Sequence, residues 1–460
     1  MDSAHRRHLL LDTRVVEDAH NAELALGTVE KHAGNPLFGE DKPWEMRFDN
    51  LYANVIYDDE ERLYKCWYSP FIVDHSSMGM SLQQRQAARY RAPGDREMAI
   101  CYATSVDGLT WVKPELGLVE YEGSRANNIL WRGGGDTRKL RAGPHGAGVL
   151  KDLRDPDPAR RYKAFLKSEI LSVAFSADGV HWASPIACPE ANSAGDTHNN
   201  AFWAPTLGRY VGITRQWGKP FGRQVARTSS VDFLDWESTR IALEGLDPNH
   251  QTYAMPAFYH GGVYIGLVAI HDQNADRVWT ELTWSPDTST WHRVLPGTPF
   301  ITNGGEAGDY DWGCVYPAAC PVFLDNEVRL YYGASDGLHT SWRNGYLCLA
   351  TLRADGFAGY KASDATVLAT LTTTPVHWEA GTLRVSADIA PGGEVVVRVL
   401  GPDRQVLAAS RPMASTVSDG IVEWLDHRAP IATETKCRLE FTFRKATVYS
   451  FSMEAPVAGP

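Results

Sequence analysis

Carboxylates and histidines recur just ahead of apolar, strand-like segments of this chain. Asp49 stands in "RFDNLYAN", His145 in "GPHGAGV", Asp196 and His198 in "GDTHNNAFW", and His250 and Gln251 in "NHQTYAMP". Glu306, Asp309 and Asp311 crowd into "GGEAGDYDWGCVY". Paired carboxylates are the equipment of glycoside hydrolysis: one protonates the leaving oxygen while the other attacks carbon or activates water. Asp49 is one candidate carboxylate. For the acid, Glu306, Asp309 and Asp311 compete, with Asp196 close behind. Asp311 aligns best with Asp49, whereas Glu306 has the reach of a Gly-rich loop and the higher reference pKa, about 4.3 against about 3.9. Asp196 is also suited to stabilise positive charge on a sugar ring or to bind a hydroxyl. Each of these groups can equally cap a turn or tie neighbouring segments, so the pattern leaves both readings open.

The elements that must position them are announced by a repeated phrase. "SVDGLTW" (105–111) returns as "SADGVHW" (176–182), then as "SVDFLDW" (230–236), "SPDTSTW" (285–291) and the variant "RADGFAGY" (353–360). A fixed phrase returning at intervals of 54 to 71 residues is the signature of a repeat architecture. Before each copy lie three segments rich in aromatic and β-branched residues, and a more variable fourth follows, all bounded by Gly, Asp, Asn and Pro. Five four-stranded units imply a five-bladed β-propeller. The phrase belongs between third and fourth strands and resembles the Asp-box turn of sialidase-type propellers. There Asp bonds turn amides, Gly takes positive φ and Trp packs between sheets. Convincing amphipathic helix is scarce, with residues 80–90 the best stretch.

After Tyr360 the period breaks. The fold class expected is all-β: residues 1–34 an extension with a possible ring-closing strand, 35–371 the five-bladed propeller, and 372–460 a small C-terminal β-sandwich.

Propeller topology sorts loops onto two faces, and the starts of first strands share one face with the loops between second and third strands. That tunnel mouth gathers the carboxylates above and a set of substrate-binding candidates: His145, His198, Asn199, Arg215, Trp217, Gln251, Tyr253, Asp309, Trp312, His339 and Arg343. Aromatic faces and charged forks suit a polyhydroxylated ligand. His145, His198 and His250 could meet near the axis, but no HxH or HxxxH spacing points to a metal. Hydrogen bonding to sugar hydroxyls is the preferred reading, and no metal or cofactor is expected. Blade one carries a long insertion, roughly 71–96, containing Asp74 and His75.

Composition narrows the class. The 460 residues carry 45 basic against 56 acidic side chains, a net charge of −11 spread without long runs. Neither nucleic acid nor an anionic membrane is an expected partner, since both ask for a basic face. The seven cysteines are odd in number, lack CxxC and sit mostly in apolar runs, which reads as buried reduced thiols. With no signal-like or membrane-length apolar run, the expected location is cytoplasmic. The expected partner is an oligosaccharide or glycoside substrate, with a homo-oligomer as a further option.

Five blades, first-strand carboxylates and a trailing β-sandwich resemble the five-bladed propeller glycoside hydrolases of families 32, 43 and 68, the invertases, inulinases and arabinanases. The resemblance covers about 35–370 and loosely the sandwich. It implies a first-strand aspartate of blade one as nucleophile or base, which Asp49 in "FDN" matches by position, although the flanking "NDPNG" of invertases is absent. The "RDP" at 154–156 follows the blade-two first strand, so the transition-state-stabilising role of the family's second aspartate is not carried over to it. The resulting expectation is a glycosidase releasing a terminal furanosyl residue, fructofuranosyl or arabinofuranosyl. Its alternatives are a phosphorylase or transglycosylase, for which Arg47, Arg215 and Arg343 would have to converge on an anion, and a non-catalytic carbohydrate-binding propeller.

Overall fold

In the computed structural model the described residues are 5–88, 90–91, 96–133, 144–378, 382–426 and 435–454. Five four-stranded antiparallel meanders follow one another as blades. Blade one uses Asn54–Asp58, Leu63–Tyr68, Glu97–Ser105 and Ile129–Arg132. Blade two uses His145–Lys151, Tyr162–Lys167, Leu171–Ser176 and the short Ile186–Ala187. Blade three is built from Asn200–Ala204, Arg209–Gly218, Gly222–Ser230 and Arg240–Leu243. In blade four the first strand breaks at Pro256 into His250–Ala254 and Ala257–His260; Val263–Asp272, Arg277–Ser285 and His292–Arg293 follow. Proline cannot donate to a ladder, which fits the break.

Blade five has Cys314–Pro317 continued by Val322–Phe323, then Glu327–Ser335 and Gly345–Arg353. Its fourth strand comes from the other end of the chain: Glu30–Lys31 and Phe38–Gly39 pair with Gly345–Arg353 and close the ring. Of the segment expected to close it, "AELAL" goes elsewhere, Ala22–Leu26 pairing with Ala358–Ala362 in the sandwich sheet. His5–Leu9 and Val16–His20 join that sheet too. That sheet thus draws on both ends of the chain and takes in Ala358–Ala362, which starts inside the fifth phrase. Its core includes Leu371, Val385, Val397, Leu439, Phe441 and Phe451, all fully buried.

First strands splay apart around the tunnel, and buried asparagines bridge them. Asn54 Nδ2 donates to the Ala147 carbonyl and its Oδ1 accepts from Val149 N–H, both at 2.8 Å. Asn200 does the same toward Ala319 O (3.2 Å) and Ala257 N–H (3.1 Å). A buried amide that satisfies both its donor and acceptor avoids the penalty of an orphaned polar group.

The repeated phrase is a turn device, as expected, in its first four copies. Asp107, Asp178, Asp232 and Asp287 each accept from two backbone N–H groups of their own turn at 2.7–2.9 Å. In each, the serine two positions earlier receives a third N–H from the residue after the aspartate. That residue has positive φ in every copy, and Gly108 and Gly179 take it without strain. In the fifth copy Asp355 turns outward from its turn. Its oxygens accept from Arg7 Nη1 (3.0 Å), Ser450 Oγ (2.8 Å) and Ser386 Oγ (3.3 Å) of the sandwich, and lie 2.9 Å from His260 Nε2 of blade four.

Burial opposes ionisation of Asp355, but His260 and Arg7 prevail and hold its carboxyl down at about 2. A folded-state pKa below the unfolded value of about 3.9 gives stability that is present above pH 4 and lost as pH falls through 2. Asp355→Asn should therefore lower stability at neutral pH by about 2–3 kcal/mol and flatten the loss of stability between pH 4 and 2, as read by denaturant unfolding at stepped pH. Parallel acid profiles in both proteins would show that Asp355 is not a source of this dependence.

Candidate active site at the tunnel mouth

The turn that enters blade one is strained. Asp49, Leu51 and Tyr52 all have left-handed backbones, with φ of +53°, +62° and +48°. Aspartate tolerates this region; leucine and tyrosine do so at a cost of about 1–3 kcal/mol each, which surrounding contacts must offset. Asn50 supplies some of them: its Nδ2 donates to the hydroxyls of Tyr52 (2.7 Å) and Tyr253 (3.0 Å). The turn presents Asp49, whose Oδ1 accepts from Arg343 Nη2 at 2.6 Å and Arg47 Nη2 at 3.0 Å. Protein surrounds the carboxylate, yet 21 % of the side chain still meets solvent, as at the floor of a depression. Burial alone would raise its pKa. The charges of Arg343 and Arg47 outweigh burial and hold it below the ordinary aspartate range.

Two further aspartates flank this floor in different states. Asp196 reaches solvent with 63 % of its side chain but is hemmed in by His145 Nε2 at 2.9 Å and Arg215 Nη1 at 3.6 Å. Desolvation by the protein packed around it opposes ionisation; the His145 contact and the charges of His145, Arg215 and Arg223 overcome it and keep the carboxylate ionised far into acid. Asp74 behaves oppositely. Burial pushes its carboxyl up, and neither the Tyr90 hydroxyl donating to Oδ2 at 2.6 Å nor the Arg47 charge restores the ordinary value; the Asp49 charge adds to the rise.

Blades four and five supply an aromatic and imidazole wall. Tyr253 lies 4.9 Å from His339 and 5.3 Å from Tyr316, and His339 lies 4.3 Å from His271, ring centre to ring centre. Gln273 Nε2 donates to His271 Nδ1 at 2.7 Å, which leaves Nε2–H to face Asp276 Oδ1 at 3.1 Å. Burial and the charges of Arg343 and Arg223 keep His339 neutral.

The blade-one insertion leans onto blade five. Its helix, Leu82–Ala87, starts with a capping box: Ser81 Oγ accepts Gln84 N–H and Gln84 Oε1 accepts Ser81 N–H. Arg85 pairs with Asp336, and Ser77 Oγ donates to Asn344 Oδ1 at 2.6 Å. Tyr90 stands edge-on to Trp342 at 5.1 Å with Arg47 beneath its ring at 3.7 Å. One side of the mouth is therefore walled.

Several expected residues meet here: Asp49, His145, Asp196, Arg215, Tyr253, His339 and Arg343. Trp217 is 54 % exposed at the rim, and Gln251 Oε1 accepts from Arg223 Nη1 at 2.9 Å. Others do not face the mouth. Asp311 is sealed, with Oδ2 at 2.6 Å from Lys31 Nζ of the closing strand and accepting from the Tyr332 hydroxyl at 3.0 Å. Like Asp49 it stands shortly before a first strand, but Lys31 and Tyr332 hold its carboxylate inside the blade. His198 and Asn199 are buried in the ring: His198 Nε2 lies 3.3 Å from Asn54 Oδ1, and burial lowers its pKa to about 4. Asn199 Nδ2 donates to the Gly195 carbonyl at 3.0 Å and to the Gly146 carbonyl at 3.2 Å. Nor do the three histidines meet, since His250 Nδ1 lies 2.8 Å from Asp247 Oδ2 in its own turn. Glu306 is exposed in a loop where its N–H donates to Asp309 Oδ2 at 2.9 Å, and Trp312 packs on Arg277, whose guanidinium carbon lies 5.0 Å from the ring centre.

Tyr90, Arg223, Asp276 and Tyr316 were missed. Asp276 lies inside the second-to-third-strand loop of blade four, where His271 and Asp272 were singled out instead, and Arg223 is the second residue of the strand that follows the blade-three loop. Tyr316 follows the blade-five column by two residues. Tyr90 carries no signal beyond its place in the insertion.

No family model matches the chain, and no curated protein matches it. Solved structures do. A glycosyl hydrolase from Bacteroides ovatus shares 14 % identity over 71 % of this chain and 94 % of its own, with a TM-score of 0.50. An N-acetylgalactosamine deacetylase from F. plautii, in complex with blood group B trisaccharide, shares 14 % over 72 % and 96 %, at 0.49. β-1,2-Mannobiose phosphorylase from Listeria innocua shares 11 % over 71 % and 97 %, at 0.48. At such identities the likeness is one of fold.

Removing Arg343 leaves the partly exposed Asp49 with Arg47 alone, so the cost falls short of the about 3–5 kcal/mol of breaking a fully buried pair. Arg343→Ala should lose about 1–3 kcal/mol in urea unfolding, with Arg343→Lys recovering part of it. A loss below about 1 kcal/mol would mean that Arg47 alone satisfies the carboxylate.

Proposed function

We propose that the protein is a glycoside hydrolase that removes a terminal furanosyl residue at the tunnel mouth, with Asp49 as nucleophile or base. The observation that carries this reading is the Asp49 carboxylate, which still meets solvent and is ionised between Arg47 and Arg343 on a turn of left-handed backbone. A group of this kind is poised to attack an anomeric carbon or to activate water. Asp74 is the proton donor the electrostatics favour, because its pKa is raised while that of Asp49 is lowered, and such separation divides acid from base. Glu306, exposed in the loop before blade five and not held against these groups, is the second option. Asp196, held ionised, suits stabilisation of an oxocarbenium-like ring. The walled side of the mouth supports exo action, and furanosyl specificity follows from the resemblance to families 32, 43 and 68. A phosphorylase would need Arg47, Arg215 and Arg343 on one free anion; two of these already converge on Asp49 Oδ1.

The test is a screen of p-nitrophenyl furanosides and of fructo- and arabino-oligosaccharides, with and without phosphate. Wild type should release a single sugar without needing phosphate, and Asp49→Asn should be slower by at least about a thousandfold. Asp74→Asn should lose about 100- to 10,000-fold on oligosaccharides but much less on p-nitrophenyl glycosides, whose leaving group needs no proton. If Glu306→Gln shows that pattern instead, Glu306 is the donor. Equal turnover by wild type and Asp49→Asn would remove Asp49 from the mechanism.

The pH profile follows from the same pair. Activity needs Asp49 ionised, so it falls with acid only below the ordinary aspartate value of about 3.9; it needs Asp74 protonated, so it falls as pH rises through a value above that. The alkaline limb should vanish in Asp74→Asn while the acid limb stays.

A further inference from the structure

Between blades three and four the mouth carries more positive charge than the one carboxylate there, Asp196, can balance. Arg215 and Trp217 alternate along Arg209–Gly218, and across the hairpin Trp217 is paired with Arg223 and Arg215 with Val225. Side chains of directly opposed residues, and of residues two apart, share a sheet face, so Arg215, Trp217 and Arg223 stand together. That face packs on Tyr253 of blade four. The guanidinium carbon of Arg215 lies 4.3 Å from the ring centre and that of Arg223 5.1 Å, with Arg223 also 4.8 Å from the Trp217 ring.

These two cations are poorly compensated. Arg215 is 1 % exposed and donates through Nη2 to the Tyr253 carbonyl, but its Nε and Nη1 have no hydrogen-bond partner. Its only carboxylate among the described residues is Asp196, at 3.6 Å. Arg223 donates through Nη1 to Gln251; its Nε is unpartnered, and among the described residues it makes no ion pair. Burial, with the Arg215 charge beside it, lowers the Arg223 pKa. A buried guanidinium and a half-buried one that repel each other and keep unpartnered N–H groups are a site missing its anion.

We propose that Arg215 and Arg223 bind the carboxylate of a uronic acid, so that the glycan taken at this mouth is an acidic one. Planar guanidinium forks match a planar carboxylate. Beside them the exposed Trp217 offers a platform for a sugar ring, which a free inorganic anion has no face to stack upon. The inference rests on the mouth being a carbohydrate site, as proposed above.

Calorimetry with D-glucuronate and D-galacturonate, against glucose and galactose and against inorganic phosphate and sulfate, tests it on the full chain. A uronate should bind at least about tenfold more tightly than its neutral hexose, and added salt should weaken it. Arg223→Gln should bring uronate affinity down to the hexose level, while Trp217→Ala, a rim substitution that leaves the core intact, should weaken uronate and hexose alike. Equal affinity for uronate and hexose, no uronate binding, or phosphate or sulfate binding as tightly as uronate would each overturn the inference. Uronate failing while Asp49-dependent hydrolysis is found would sink this site alone; Arg223-dependent uronate binding with no hydrolysis of any glycoside would sink the hydrolase reading alone.

Discussion

Closure of the ring is the constraint on which the mouth depends. Arg343 and Asp49 are 294 residues apart in sequence and 2.6 Å apart in space, because the chain that leaves the closing strand runs directly into the turn bearing Asp49. Glu40, one residue past that strand, locks the junction: its Oε1 accepts from Phe48 N–H at 2.7 Å and Gly345 N–H at 3.2 Å. Burial pushes this carboxyl up to about 8 despite both N–H groups, so near neutrality it is mostly a neutral acid. It holds the residue before Asp49 and the residue two after Arg343 without adding a second negative charge to the floor. The left-handed backbones at 49, 51 and 52 persist because both sides of the turn are fixed this way.

Around that floor, one residue type is set to three different acidities by its surroundings. Asp49 and Asp196 are held ionised by guanidinium and imidazole neighbours, while Asp74, sealed beneath the insertion with only a phenol and a shared guanidinium to help it, is raised. All three are aspartates in polar loops. Burial acts in the same direction on each; the number and distance of cations decides the outcome.

The blades were legible in the sequence because each of their signals is local. An Asp-box turn is satisfied within four or five residues, so the phrase survives as readable text wherever that turn forms. Alternating aromatic and β-branched runs then fix three strands per unit. The mouth was only partly legible. Asp49, Asp196, His145, Arg215 and Arg343 were found by their positions at strand ends, yet the same rule chose Asp311, whose inward turn depends on Lys31, a residue 280 positions away on the closing strand. The same limit applies to Asn199 and His198, because an interblade hydrogen bond leaves no trace in nearby residues. Arg223 was missed for a related reason: its partners Tyr253 and Gln251 belong to the next blade.

The fifth phrase shows how small a change redirects a repeated element. In the first four copies a serine opens the phrase and caps the turn with its hydroxyl; in "RADGFAGY" arginine stands in that place and the tryptophan is lacking. There the Gly356 N–H donates to the Arg353 carbonyl at 3.0 Å, and Asp355 serves as the acceptor for groups on the sandwich and blade four. Arg353 meanwhile reaches the same layer, donating to Asp388 at 2.5 Å, to the Val417 carbonyl at 2.6 Å and to Ser418 Oγ at 3.0 Å. A Cβ at Gly356 would press on the Arg353 side chain, so the glycine also keeps that arm in place. The slot that elsewhere ends a blade thus fastens the propeller to the sandwich. The strand that follows it, Ala358–Ala362, pairs at once with Ala22–Leu26 from the N-terminal segment. The ring is closed by Glu30–Lys31 and Phe38–Gly39, a few residues further along that same segment. Anchoring the last blade and closing the first are therefore parts of one arrangement, with Asp355 and Arg353 at its outer end and Asp49 and Arg343 at its inner end.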